Sequence, residues 1–209
     1  ATPFSLATAI FMTEISPELG KRFVQPAVEI FVGIPSVVYG WLGLTLLVPL
    51  IKDIFHLRFG FSVLAAGIVL AVMIFPTITS LAADALRSIP QGYRAASYGL
   101  GATRWQTIAK VVVPAAVTGL MTAVILGLAR AFGEALAVAM VIGKMRAFPT
   151  SILSPTNNLT AAIAADMGGA MEGSEYNIAL WTMALLLFII SLACIFTIHC
   201  LGNKGGEKA

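Results

Sequence analysis

Four apolar blocks constrain this chain more than anything else in it: Phe23 to Leu50, Phe61 to Ala83, Pro114 to Gly143 and Ile178 to Leu201. Crossing a bilayer takes about 20 helical residues, and every block reaches that length. Inside hydrocarbon a backbone N–H or C=O finds no water, so each block must satisfy its own hydrogen bonds as a helix. The expected fold class is therefore all-α, a polytopic membrane helix bundle. Residues 1–13 read as part of a further span. The chain opens at Ala1 inside an apolar run without a charged leader, so its start is read as a truncation.

Composition supports that reading and excludes others. Charged residues make up 11% of the chain and apolar residues 58%, whereas about a quarter of an ordinary soluble domain is charged. Membrane lipid is thus an expected partner. The formal net charge is only +3, and the basic residues fall in twos and threes between apolar blocks. Without a basic run, nucleic acid is not an expected partner. Cys194 and Cys200 lie in one apolar block. A separation of six helical residues is about 9 Å of rise, beyond the roughly 7 Å between Cα atoms that a disulfide spans. Neither a cofactor nor a metal is expected.

Lys and Arg keep loops in the cytoplasm, so the alternate loops can be compared. One set holds Lys21, Arg22, Arg87, Arg94, Arg104, Lys110, Lys204 and Lys208; the other holds Lys52, Arg58, Lys144 and Arg146. The first set is assigned inside. That places residues 84–113 in the cytoplasm and residues 144–177 outside, within a single membrane domain over 1–209.

The stretch 84–113 is expected to form two short helices about a turn. Pro90 suits a helix start, Gly99 or Gly101 can take the left-handed conformation that ends one, and Thr103 with Gln106 forms a capping box for the next. Ala95-Ala96-Ser97, three residues, Gly101, then Pro114 after a Val-rich run resembles the "EAA" loop of bacterial ABC-importer permeases. Their consensus is Glu-Ala-Ala, three residues, Gly, nine residues, Ile, one residue, Leu-Pro. Ala95 stands where the family has Glu, Ser97 where it has Ala, and Val111 and Val113 where it has Ile and Leu.

The resemblance implies a bundle of the type I importer (MetI-like) kind whose coupling helix docks on a separate ATP-binding subunit. Ala95, Ala96, Ser97, Gly101, Ala102, Thr103 and Arg104 would serve that coupling. No stretch of the chain matches G-x-x-x-x-G-K-[ST], so ATP hydrolysis is expected of a partner and this chain is not read as an enzyme.

Further stretches resemble the phosphate-specific permeases of the PstC type more than their PstA-type sisters. They are Gly33-Ile34-Pro35-Ser36-Val37-Val38-Tyr39-Gly40, Leu100 to Trp105, Ile125 to Glu134, and Met140 to Gly143. The implied role is the membrane-spanning subunit of an ATP-driven phosphate importer in the cell (inner) membrane. The implied partners are a PstA-type sister permease, an ATP-binding subunit and an external phosphate-binding protein facing residues 144–177. A permease for molybdate or sulfate is the nearest alternative, and a secondary transporter or channel fragment a more distant one.

Arg130 and Glu134 also stand out without any family, because charged side chains inside a span are costly and usually face an interior or a water-filled path. At i, i+4 they would share a helix face and pair. An Arg fork suits a phosphate, and a neighbouring carboxylate would hold it in the anion's absence. A structural ion pair is the competing explanation. Within 144–177, Pro149, Pro155, Asn157 and Asn158 point to turns that lead into a short helix over Thr160 to Met167.

Overall fold

Prolines set the joints of the backbone. The computed structural model describes the backbone of residues 1–206 and the side chains of residues 1–198 and Cys200. Lys208 and the side chain of Lys204 lie outside the described residues. The described chain is helical, with no strand.

In order, α1 spans Thr2–Ile10 and α2 Gln25–Gly33. They are followed by α3, Ser36–Ile54, and α4, Val63–Arg87. Next come α5, Gln91–Gly99, and α6, Arg104–Ala115. The rest comprise α7, Val117–Gly133, α8, Leu136–Val141, α9, Leu159–Asp166, and α10, Glu175–Gly206.

Wide π-helical turns interrupt the path at Phe11–Ile15, Gly20–Val24, Gly43–Leu47 and Ile108–Val112. Each ends two residues before a proline: Pro17, Pro26, Pro49 and Pro114. Proline lacks an N–H, and its ring collides with the carbonyl four residues back. Widening the preceding turn moves that carbonyl aside.

These joints change two of the expected spans. Residues 23–50 are divided at Ile34-Pro35, because the residue before a proline is pushed out of the α region, and Pro35 itself (φ −58°, ψ 139°) is extended at the start of α3. Residues 114–143 are divided between α7 and α8 at Glu134 and Ala135. Among the described residues the candidate membrane spans are α3, α4 and the apolar part of α10 over Glu175–Ile198, and α6 and α7 make a fourth if their 67° bend is one broken span.

Two compact units divide the chain. The first holds residues 1–33 and 74–128 and the described residues from 194 on. Its core joins Ala9, Met12, Ala82, Ala83, Leu86, Val112, Ala116, Leu120 and Ala123. The small residues let helices approach closely where lipid offers no hydrophobic drive to associate. Buried polar groups are shared out: the Ser5 hydroxyl donates to the Phe75 carbonyl at 3.2 Å, and the Thr79 hydroxyl to the same carbonyl at 2.8 Å.

The second unit holds residues 34–73 and 129–193. Here α3 and α8 lie so close that a Cβ on Gly40 would sit 2.8 Å from the Cα of Ala137. The Ser62 hydroxyl accepts from the Ala65 N–H at 3.1 Å to start α4. Cys194 and Cys200 are both free thiols.

Candidate functional site

The helix–turn–helix knob in the first unit is built by local chemistry. Pro90 precedes α5, and Gly101 turns the chain with φ +79°, a left-handed conformation that other residues adopt only under strain. The capping box then starts α6. The Thr103 hydroxyl accepts from the Gln106 N–H at 3.3 Å, and the Gln106 side chain accepts from the Thr103 N–H at 2.9 Å.

The predicted coupling residues part into two groups. Ala95, Ala96, Gly101 and Thr103 are exposed, and Ala102 is half-buried. Around them stands an apolar surface of Tyr93, Tyr98, Leu100 and Trp105, with Leu100 90% exposed. Ser97 and Arg104 are engaged within the unit. Ser97 is buried and shares a hydrogen bond of 2.9 Å with the Thr107 hydroxyl, locking α5 onto α6. Arg104 donates to the carbonyls of Glu14 and Ile15.

Arg94, absent from the sequence-derived set, holds Glu14 in a partly buried ion pair of 2.5 Å. The hydrogen bond to Glu14 pushes the Arg94 guanidinium still higher than its ordinary pKa. A carboxylate ending an apolar run, set against a basic loop, was the signal available for Glu14; its partner lies 80 residues away.

The second unit carries Arg130 and Glu134, and they are not stacked on one helix face. Arg130 is half-buried in the last turn of α7, where a cation favours the negative helix end. Glu134 lies past the end of that helix. Its carboxylate accepts from the Ala137 N–H at 3.1 Å, opening α8, while its own carbonyl accepts from the Thr160 hydroxyl at 2.8 Å. Asn158 caps α9 by accepting from the Ala161 N–H at 2.9 Å, and its side-chain amide donates to Thr160. The buried Tyr39 is within electrostatic reach of Arg130. Arg130 and Glu134 thus belong to one neighbourhood, which also contains Tyr39, Asn158 and Thr160.

Beside it opens a cavity of about 650 Å³ with a mainly apolar lining that includes Phe132, Phe148, Met183 and Leu187. Arg146 lies at its wall, its guanidinium 4.4 Å from the centre of the Tyr176 ring and 3.0 Å from the Asp166 carboxylate. The Tyr176 hydroxyl also donates to Asp166. That bond, with Arg146 behind it, holds the Asp166 carboxyl below the ordinary carboxylate range. Among the described residues no group of His, Cys, Asp or Glu could hold a metal ion.

The sequence profile of the binding-protein-dependent transport system inner membrane component matches residues 3–201. The chain belongs to this family. This inner membrane component is 54% identical over 204 residues to the probable ABC transporter permease protein YqgH of Bacillus subtilis (strain 168), covering 98% of this chain and 66% of the relative. It is 36% identical over 212 residues to the phosphate transport system permease protein PstC of Haemophilus influenzae, covering 91% and 66%. A probable phosphate transport system permease protein PstC of Methanocaldococcus jannaschii is 32% identical over 214 residues, covering 92% and 66%. The component thus spans just under two thirds of the length of these relatives. In fold it is similar to a chain of the MetNI methionine ABC transporter solved in inward-facing conformations. The TM-score is 0.68 at 22% identity, over 95% of this component and 84% of that chain. The all-α, MetI-like architecture is thereby established.

Proposed function

We propose that this chain is the membrane-spanning subunit of an ATP-driven importer for inorganic phosphate. The observation that carries the reading is the 36% identity, over 91% of the chain, to a phosphate transport system permease. The α5–α6 knob is the docking site for a separate ATP-hydrolysing subunit on the cytoplasmic side, and its exposed Tyr93, Tyr98, Leu100 and Trp105 supply the apolar contact such docking needs. A PstA-type sister permease completes the path. An external phosphate-binding protein delivers substrate to the side of residues 144–177.

Arg130 supplies charge-assisted donors to the passing anion. Glu134 and Thr160 fix the helix break beside it. The test is uptake of radiolabelled phosphate by the reconstituted complex with its binding protein. ATP-dependent uptake resistant to excess molybdate and sulfate is expected; uptake displaced by either anion would assign a different cargo, and transport by this chain alone would remove the ATP-driven reading. For topology, a cysteine at position 157 in a background lacking Cys194 and Cys200 should react with an impermeant reagent on intact cells, and one at position 94 should not.

A further inference from the structure

Glu14 closes the π turn Phe11–Ile15 at the end of α1, where the backbone leaves the helix at Ser16 (φ −140°, ψ 74°). Its side chain is 9% exposed and that of Arg94 is 13% exposed. Arg94 grips both carboxylate oxygens, from Nη2 at 2.5 Å and from Nε at 3.3 Å. The same guanidinium donates to the Leu86 carbonyl at 3.0 Å and to the Ile89 carbonyl at 2.8 Å, tying in the end of α4 and the strap beyond it. One turn of the knob away, Arg104 donates to the Glu14 carbonyl and, at 2.8 Å, to the Ile15 carbonyl, which the end of the helical turn leaves without intrahelical donors. Two arginines of the knob therefore converge on one residue of the first helical segment.

Beside these polar holds, Ile108 and Val112 of α6 are buried, and Val112 joins the apolar core of the first unit. Apolar contacts have no preferred direction and allow sliding. A two-pronged guanidinium–carboxylate pair out of solvent fixes both distance and orientation. Glu14 is thus the point at which a side chain of the first helical segment is held by directional bonds from α5.

We infer that Glu14 is the positioning residue through which displacement of the α5–α6 knob is delivered to the first helical segment, with Arg94 and Arg104 as its two grips. The inference rests on the reading of the knob as the docking site of the ATP-hydrolysing subunit. In the loop of the resembling family a glutamate precedes the two alanines; here Ala95 occupies that place, and a carboxylate from another segment meets the arginine next to it.

The test uses the whole complex in proteoliposomes and reads phosphate taken up per ATP hydrolysed, a ratio that a loss of folding alone would not change. Glu14→Gln keeps the shape and an acceptor but removes the charge. It should assemble at parental yield, hydrolyse ATP within about twofold of the parent and lower the ratio at least about tenfold. Arg94→Lys keeps the charge and loses the fork, so its ratio should fall by about threefold. A ratio within about twofold of the parent in Glu14→Gln overturns the inference. So does failure of both variants to assemble, which would make the pair a fold-holding element only. Ala96→Glu on the exposed face tests the docking reading separately. If Ala96→Glu leaves the ATPase bound and stimulated, docking lies elsewhere and the inference falls with it. If it releases the ATPase while Glu14→Gln stays coupled, only the role of Glu14 is lost.

Discussion

Glu14–Arg94 and Asp166–Arg146 are chemically alike, yet the first is largely withdrawn from solvent while Arg146 of the second is 67% exposed. The difference sets what each can do. An exposed pair is screened by water and salt and adds little to stability. A pair withdrawn from solvent contributes little net stability over apolar packing, but breaking one side of it leaves the other charge poorly solvated. The knob is thus held by a directional contact on both carboxylate oxygens of Glu14. The segment 144–177 carries instead the more exposed cluster of Arg146, Tyr176 and Asp166.

The largest effect that would break this comparison is at the knob surface. Ala96→Glu should abolish uptake and release the ATPase subunit, since it places a charge on a small exposed face; co-purification with the ATPase at parental levels would show that this face is not a docking surface. Next is Arg130→Gln, expected to assemble and lose uptake by at least about tenfold, because a neutral amide forgoes the charge-assisted bonds to an anion. Glu134→Gln keeps an oxygen to cap α8, so the double variant should also assemble and fail to transport. Parental uptake in the double variant would take Arg130 out of the path.

Effects on stability are smaller. Gly40→Leu forces side-chain atoms against the backbone of Ala137, an overpacking that should cost about 1–3 kcal/mol and lower the Tm of the purified protein. Ser97→Ala strands the buried Thr107 hydroxyl at a cost of about 1–3 kcal/mol, and Ser97→Ala with Thr107→Val should recover part of the loss.

The smallest effect belongs to the exposed cluster and is a matter of pH. The carboxyl of Asp166 titrates below its ordinary value, mainly through the Tyr176 hydroxyl and then through Arg146. Its contribution is therefore complete above the unfolded carboxylate pKa of about 3.9 and is lost as pH falls through the lowered folded value. Amide protection factors across 144–177, corrected for the intrinsic pH dependence of exchange, should stay flat from neutral pH down to that range and fall below it. Tyr176→Phe should move the fall to higher pH; an unchanged profile would mean that the hydroxyl does not hold the loop.

The features legible in the sequence were those that neighbours in the chain decide. The capping box at Thr103, the left-handed Gly101 and the start of α5 after Pro90 each arise from a few adjacent residues. The short outer helix was expected over Thr160 to Met167 and is Leu159–Asp166, because Asn158 takes the cap. Arg130 and Glu134 were legible as charges in apolar surroundings, but their arrangement was not. A continuous helix was assumed through a point where the chain breaks and Glu134 turns to cap α8. Glu14 and Arg94 were illegible as a pair for a different reason: nothing local links residues 80 positions apart, and only the packing of the first unit brings them together.

The four widened turns ahead of Pro17, Pro26, Pro49 and Pro114 also reset angular phase. A π turn accommodates one residue more than the ring of an α turn, and one residue corresponds to about 100° around a helix. Side chains beyond each joint are therefore rotated from where an unbroken α-helix would place them. Within α3, Gly40 and Ile51 would lie only about 20° apart around an unbroken α-helix, so the Gly43–Leu47 turn rotates Ile51 away from the direction that simple periodicity gives it. The prolines thus act as phase shifters within the apolar blocks they interrupt.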